Sequence, residues 1–149
     1  MATIRARFDA VNLVTADVPA SRAFYERLGL SFRNSHEPVW ERHHVSTGSG
    51  AGGGAAEVDL DLDSASFAGQ WNRGWPGGTG VVLGFRVDTR EAVDQLVTEL
   101  GTAGAPVQQE PYDAFWGARY AVVADPDGNA VGIMSPVDDD HRSTPPSPE

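Results

Sequence analysis

Residues 10–29, AVNLVTADVPASRAFYERLG, can be written above residues 82–101, VLGFRVDTREAVDQLVTELG, without a gap. Ala20 falls on Ala92, Leu28 on Leu100 and Gly29 on Gly101. Identity is low, yet both stretches show the same order: a strand-like run, a polar break, then apolar residues at helical spacing. Successive strand side chains point to opposite faces, whereas a helix brings positions three and four apart onto one stripe. Phe24, Tyr25 and Leu28 form such a stripe, as do Val93, Leu96, Val97 and Leu100. Asp17 and Thr89 stand at equivalent positions as candidate N-caps, whose side-chain oxygens can accept from the free N–H groups of a first turn. Pro19 falls in the first turn, where a missing N–H does little harm. Gly29 and Gly101 are candidate C-terminal stops.

Three strand-like runs follow each helix. In the first half they are Leu30–Arg33, Trp40–Thr47 and Glu57–Asp63; in the second, Val107–Glu110, Arg119–Ala124 and Ala130–Met134. GSGAGGGA (48–55) joins the last two strands of the first half, as the turn DPDGN (125–129) does in the second. SFAGQWNRGWPGG (66–78) reads as a short helix and a turn between the halves. The expected fold is α+β: two βαβββ repeats forming a curved, mixed, eight-stranded sheet with helices on the outer face. One domain is expected over 1–136, with repeat one at about 8–64, an inter-repeat segment at 65–79 and repeat two at about 80–136. Residues 137–149, VDDDHRSTPPSPE, are expected from composition to be a disordered acidic and proline-rich tail.

The chain of 149 residues is the size of one ordinary domain. It has no cysteine, which excludes disulfides, thiolate nucleophiles and cysteine metal sites. It has no lysine either, so Schiff-base chemistry on a side-chain amine is excluded. The formal net charge of −10 would repel phosphate backbones, so no nucleic-acid partner is expected. The same charge could favour a cationic ligand. No run approaches the roughly 20 apolar residues of a membrane span, and MATIRARFDA lacks the apolar core of a signal peptide. A cytoplasmic protein is expected.

VNLVTADVPASRAFYERLGL (11–30), VVLGFRVDTREAVDQL (81–96) and WGARYAVVADPDGNAVGIMSP (116–136) together resemble the vicinal oxygen chelate superfamily, which includes glyoxalase I, extradiol dioxygenases and bleomycin resistance proteins. The resemblance covers roughly residues 8–136. It implies a cup whose metal ligands come from the first and last strands of each repeat. Here three of those positions are Ala10, Val82 and Gly132, none of which offers a side-chain donor. The fourth falls on Asp59 or Asp61. No metal and no other cofactor are therefore expected. The resemblance also implies a homodimer, often with exchanged strands.

Alternation places Ala10, Asn12 and Val14 of the first strand, Val82, Gly84 and Arg86 of the middle strand, and Gly132 and Met134 of the last strand inside the cup. Small residues there leave room for an organic molecule. The candidate ligand-binding residues are Trp40, Phe115, Trp116, Tyr112, Tyr120, Trp71 and Trp75 for ring contacts. Asn12, Asp59, Asp61 and Arg86 are the polar candidates, with Met134 and Gly132 on the floor. Trp40, Phe115 and Trp116 lead the set. HEPVWERHH (36–44) holds His36, Glu41, His43 and His44, but adjacent histidines on a strand face opposite ways, so it reads as a polar strand edge. No nucleophile elbow follows a strand, and GSGAGGG lacks the lysine and helix of a phosphate loop.

The expected function is metal-free sequestration of a bulky aromatic or cationic natural product, in the manner of a drug-binding antibiotic resistance protein of the bleomycin-resistance type. The alternative is an enzyme of the superfamily acting on a small organic substrate, either a metal-dependent lyase or dioxygenase or a metal-free isomerase using Asp or His as base. No catalytic residue is assigned from sequence.

Overall fold

A computed structural model describes residues 4–48 and 58–148. Most of the GSGAGGGA connection, and Glu57, where the third strand of the first half was expected to begin, lie outside them. The strands are β1 (Arg7–Thr15), β2 (Arg33–Asn34), β3 (His44–Ser46), β4 (Asp59–Ser64), β5 (Gly80–Arg86), β6 (Val107–Asp113), β7 (Arg119–Ala124) and β8 (Ala130–Met134). The helices are α1 (Val18–Glu26), α2 (Ala65–Trp71) and α3 (Arg90–Thr102). The strands form one mixed sheet in the order β2-β3-β4-β1-β5-β8-β7-β6. This is the eight-stranded curved α+β sheet that the repeat implies. Among the described residues no helix is long and apolar enough to cross a membrane.

The repeat is visible in the register. β1 runs parallel to β4, and β5 parallel to β8. β1 and β5 meet antiparallel at the centre, where Val11 pairs with Leu83. Those two residues also align in the repeat, so an approximate two-fold axis passes through their pair. The caps obey the same relation: Asp17 accepts from the Ala20 N–H at 3.0 Å and Thr89 from the Ala92 N–H at 3.1 Å.

One expected stop is displaced. Gly29 takes φ 102° after α1, but Gly101 lies inside α3 and Gly104 takes the left-handed conformation instead. The second helix continues to Thr102, so its glycine stop comes correspondingly later. The expected stripe on α1 is also corrected. Tyr25 packs on Val18, Phe32, Val45 and Leu62, whereas Phe24 and Leu28 are exposed. On α3, Val93 and Val97 bury against Val87, Ala121, Val123 and Ile133 as their spacing implies.

These two clusters place α1 and α3 on the outer face. α2 lies on the other side. Its Phe67, Ala68 and Trp71 pack against Val14, Val82, Val122 and Ala130, inward residues of four strands. Ser64 caps it by accepting from the Phe67 N–H at 3.1 Å. A short helix thus closes part of the cup that the strands alone would leave open. The tail was expected to be disordered, yet it is tied to the body as far as Ser143. Asp138 donates its N–H to Gly117 O at 3.0 Å, and Ser143 donates to Phe115 O at 3.1 Å.

Candidate functional site

The concave face encloses a cavity of about 350 Å³. Its position follows from strand alternation, because Asn12, Gly84, Arg86, Gly132 and Met134 all present their inward face to it. Of the thirteen residues named from sequence, the structure brings ten to its wall: Asn12, Asp59, Asp61, Trp71, Arg86, Phe115, Trp116, Tyr120, Gly132 and Met134. Trp40, Trp75 and Tyr112 lie outside the lining.

Trp40 is not on a strand. It ends a 3-10 turn at Pro38–Trp40, is wholly buried, and packs edge-on against Phe67 at 4.8 Å. It supports the wall from behind. Tyr112 donates its hydroxyl to Trp71 O at 3.2 Å, which anchors the end of α2. Trp75 leans on Trp71 with ring centroids 6.4 Å apart.

One wall is aromatic. Phe115 and Trp116 meet edge to face at 5.2 Å, and Trp116 meets Tyr120 at 5.4 Å. The Trp116 indole N–H donates to the Met134 sulfur at 3.3 Å, which sets the ring's angle over the floor. Such rings offer broad stacking area with little entropy to lose.

The opposite wall is acidic, and the β1–β4 register decides which carboxylate faces in. Asn12 pairs with Asp61 on β4, and its repeat partner Gly84 pairs with Gly132 on β8. Asp61 and Gly132 are therefore equivalent, which settles the fourth position on Asp61. Asp61 accepts from the Ser46 hydroxyl and from Asn12 Nδ2, the latter at 3.3 Å. Asn12 also donates to Asp63 at 2.9 Å. Fully buried Asp63 binds His44 Nδ1 at 2.5 Å, while the His44 ring lines the cavity and stacks on Phe67 at 4.9 Å.

These contacts shift the protonation of both groups. Burial, partly offset by nearby His44, pushes the Asp61 carboxyl up to about 6. Burial also opposes a charge on His44, but the Asp63 carboxylate and its hydrogen bond outweigh it and raise the imidazole above its usual value. Burial and the nearby Tyr112, Asp63 and Asp61 hold the Tyr120 hydroxyl protonated far above the normal phenol range.

His44, Ser46 and Asp63 were not read from sequence as site residues. HEPVWERHH is not the expected strand edge: only His44 enters β3, and His43 lies in the turn before it, where its Nδ1 meets Ser64 at 2.8 Å while His44 faces the cup. The missing information was the β3–β4 pairing of His44 with Asp63. The floor at Gly132 also needs correction. A Cβ there would collide with the Tyr120 hydroxyl and lie 3.1 Å from its Cζ. The room left by the missing side chain is filled by the tyrosine.

The mouth is polar. Asp9 binds Arg86 at 3.1 Å, and the buried Arg86 Nε has no hydrogen-bond partner among the described residues. From the tail, Arg142 reaches Glu37 at 3.8 Å.

The donor set does not fit the divalent metal implied by the resemblance. Of the four positions, only Asp61 carries a ligating side chain, and a single carboxylate does not supply the three or four ligands such a site needs. Among the described residues no three His, Cys, Asp or Glu side chains come together as a metal-holding group.

Comparison with known proteins agrees on the architecture. An NAD-dependent benzaldehyde dehydrogenase from Legionella pneumophila superimposes with a TM-score of 0.63 at 19% identity, over 85% of this chain and 97% of that one. The Mn(II)-bound glyoxalase from Novosphingobium aromaticivorans gives 0.58 at 20% identity, over 88% of this chain and 40% of that one. A mutant of homoprotocatechuate 2,3-dioxygenase from Brevibacterium fuscum gives 0.60 at 21%, over 92% and 36%. The chain spans well under half the length of the latter two. At these identities the likeness is one of fold. No curated protein matches the sequence. The model of the Glyoxalase/Bleomycin resistance protein/Dioxygenase superfamily matches residues 7–133, and the chain belongs to that superfamily.

Proposed function

We propose that the protein is a cytoplasmic, metal-free binding protein that sequesters an aromatic natural product carrying a positive group, as a drug-binding resistance protein would. The observation that carries this reading is the exchange at the ligand positions. Ala10, Val82 and Gly132 stand where donors would be required; Val82 is covered by α2, and the cavity that Ala10 and Gly132 line is walled by Trp71, Phe115, Trp116 and Tyr120. Rings would stack on that wall while a cationic group faced Asp59 and Asp61. The volume of about 350 Å³ is near the lower end of the roughly 300–1,000 Å³ usual for ligand pockets. The enclosed part of the ligand is accordingly compact, nearer a mitomycin-like quinone than a whole glycopeptide.

The test combines metal analysis with titration of mitomycin-like quinones and bleomycin-like glycopeptides, following Trp fluorescence and ligand mass. The expected result is protein free of stoichiometric divalent metal, quenching that saturates, and recovered ligand of unchanged mass. Stoichiometric metal retained through dialysis, or no quenching by any of these compounds, would sink the reading.

We propose in addition that two copies pair. Phe24, Leu28 and Leu30 form an exposed apolar group at and just beyond the end of α1, and a second copy would cover it.

A further inference from the structure

The acidic wall holds more than charge complementarity requires. A cation could be held by Asp59 and Asp61 alone. Behind them, however, fully buried Asp63 fixes His44 through Nδ1 at 2.5 Å, and Asn12 bridges Asp61 and Asp63. With Nδ1 engaged, Nε2 is the nitrogen His44 can offer to a ligand. The register then brings a second proton-handling group to the same face: His44 pairs with Asp63, and Ser46 with Asp61. A carboxylate and an imidazole thus line one side of a largely apolar cavity.

We propose that this cavity catalyses metal-free proton transfer on ligands that carry an acidic C–H bond, with Asp61 taking the proton and His44 donating to the atom that gains the electron pair. Asp63 is a positioning residue. The inference rests on binding in the cavity described above and goes beyond it, because a ligand without a labile C–H would only be held.

The protonation states support the division of roles. Asp61 ionises at about 6, and His44 keeps its proton above the ordinary imidazole range because Asp63 holds it. Between those limits the wall presents a carboxylate base and an imidazolium acid together. Asp59 from β4 and Tyr120 from β7 line the same cavity, and the phenol stays neutral. Across the cavity the Asp9–Arg86 pair is self-compensating, and Glu37 and Arg142 pair at the mouth beside Arg33 and His36.

The probe is 5-nitro-1,2-benzisoxazole, a flat carbon acid. The C3 proton passes to Asp61. The C–H electron pair forms the C≡N bond, and the N–O bond breaks with its pair on a phenolate oxygen, to which His44 donates. Release of the coloured phenolate is followed from pH 5 to 9. Expected are a rate per bound probe about 100-fold above that of Asp61→Asn, a lesser loss in His44→Gln, and a bell-shaped profile rising near pH 6. Asp63→Asn should move the alkaline limb to lower pH, which a merely structural role for Asp63 would not do.

If the probe quenches Trp fluorescence but the wild-type rate equals that of Asp61→Asn, proton transfer is overturned and the binding reading stands. If neither quenching nor turnover occurs, both fail together. Should Asp61→Asn not fold, a wild-type rate per bound probe that stays flat from pH 5 to 9 overturns the proposal by itself.

Discussion

Trp40 and Trp116 separate support from contact at the residue scale. Trp40 is fully buried behind the wall, whereas Trp116 lines the cavity. Replacing Trp40 by Ala removes a large ring from a packed cluster and is expected to cost about 3–5 kcal/mol of unfolding free energy. Replacing Trp116 by Ala should leave most of the stability intact and weaken binding of a stacked aromatic ligand by about 1–3 kcal/mol. Denaturant melts paired with fluorescence titrations check both; a Trp116→Ala dissociation constant equal to wild type removes that ring from the site. Asp61 gives the opposite pattern. Its folded value, about 6, lies above its value in an unfolded chain, so the folded state binds the extra proton. Stability from this group is present at low pH and lost as pH rises through that window. His44, also raised, acts in the same direction at higher pH. Exposed Asp113, Asp125 and Asp139 are lowered by their hydrogen bonds and oppose this only in more acid solution. Asp61→Asn is therefore expected to melt higher than wild type at pH 8, by an amount on the order of 1–3 kcal/mol, while binding cationic ligands less well. A lower melting point at pH 8 contradicts that account.

At the scale of elements, the β7–β8 pair shows how a substitution is absorbed across strands. Tyr120 pairs with Met134, and its ring reaches back over Gly132. Gly132→Ala would force the phenol aside in a packed wall, and a cost of about 1–3 kcal/mol is expected from overpacking. Tyr120→Phe/Gly132→Ala should recover part of that loss, because the colliding oxygen is gone; no recovery in thermal melts would place the clash elsewhere. This pairing also shows what could be read from the chain alone. Alternation and caps are local, so β1, β5, α3 and the inward face were legible in 10–29 and 82–101. The small residue at 132 was legible too, but not the ring that fills its place. His44 and Asp63 become partners only through the β3–β4 register, across a connection whose length leaves the pairing open. The α1 stripe failed for a related reason: spacing extends a face past the helix end, and α1 stops at Glu26, before Leu28, while Tyr25 rather than Phe24 turns to the sheet.

For the whole molecule, net charge and apolar exposure pull in opposite directions. Phe24 on α1 is 57% exposed, and Leu28, in the turn just after α1, is 70% exposed. Covering them with a second copy would remove apolar surface from water at about 25 cal/mol per Å². Each copy also brings a formal charge of −10, which resists pairing. Salt screens that repulsion over a distance of about 10 Å at 0.1 M, and leaves the apolar contribution largely in place. A dimer formed through this surface is therefore expected to tighten as sodium chloride rises from 20 to 300 mM, in the direction opposite to an interface built on ion pairs. Sedimentation equilibrium across that range measures it. Leu28→Glu should hold the protein monomeric at every salt concentration and leave the cavity's affinity for an aromatic cation unchanged, because α1 lies on the outer face of the sheet. A dimer that persists in Leu28→Glu assigns the interface to another surface. Loss of ligand binding in the monomer would show instead that the second copy helps to shape the cup.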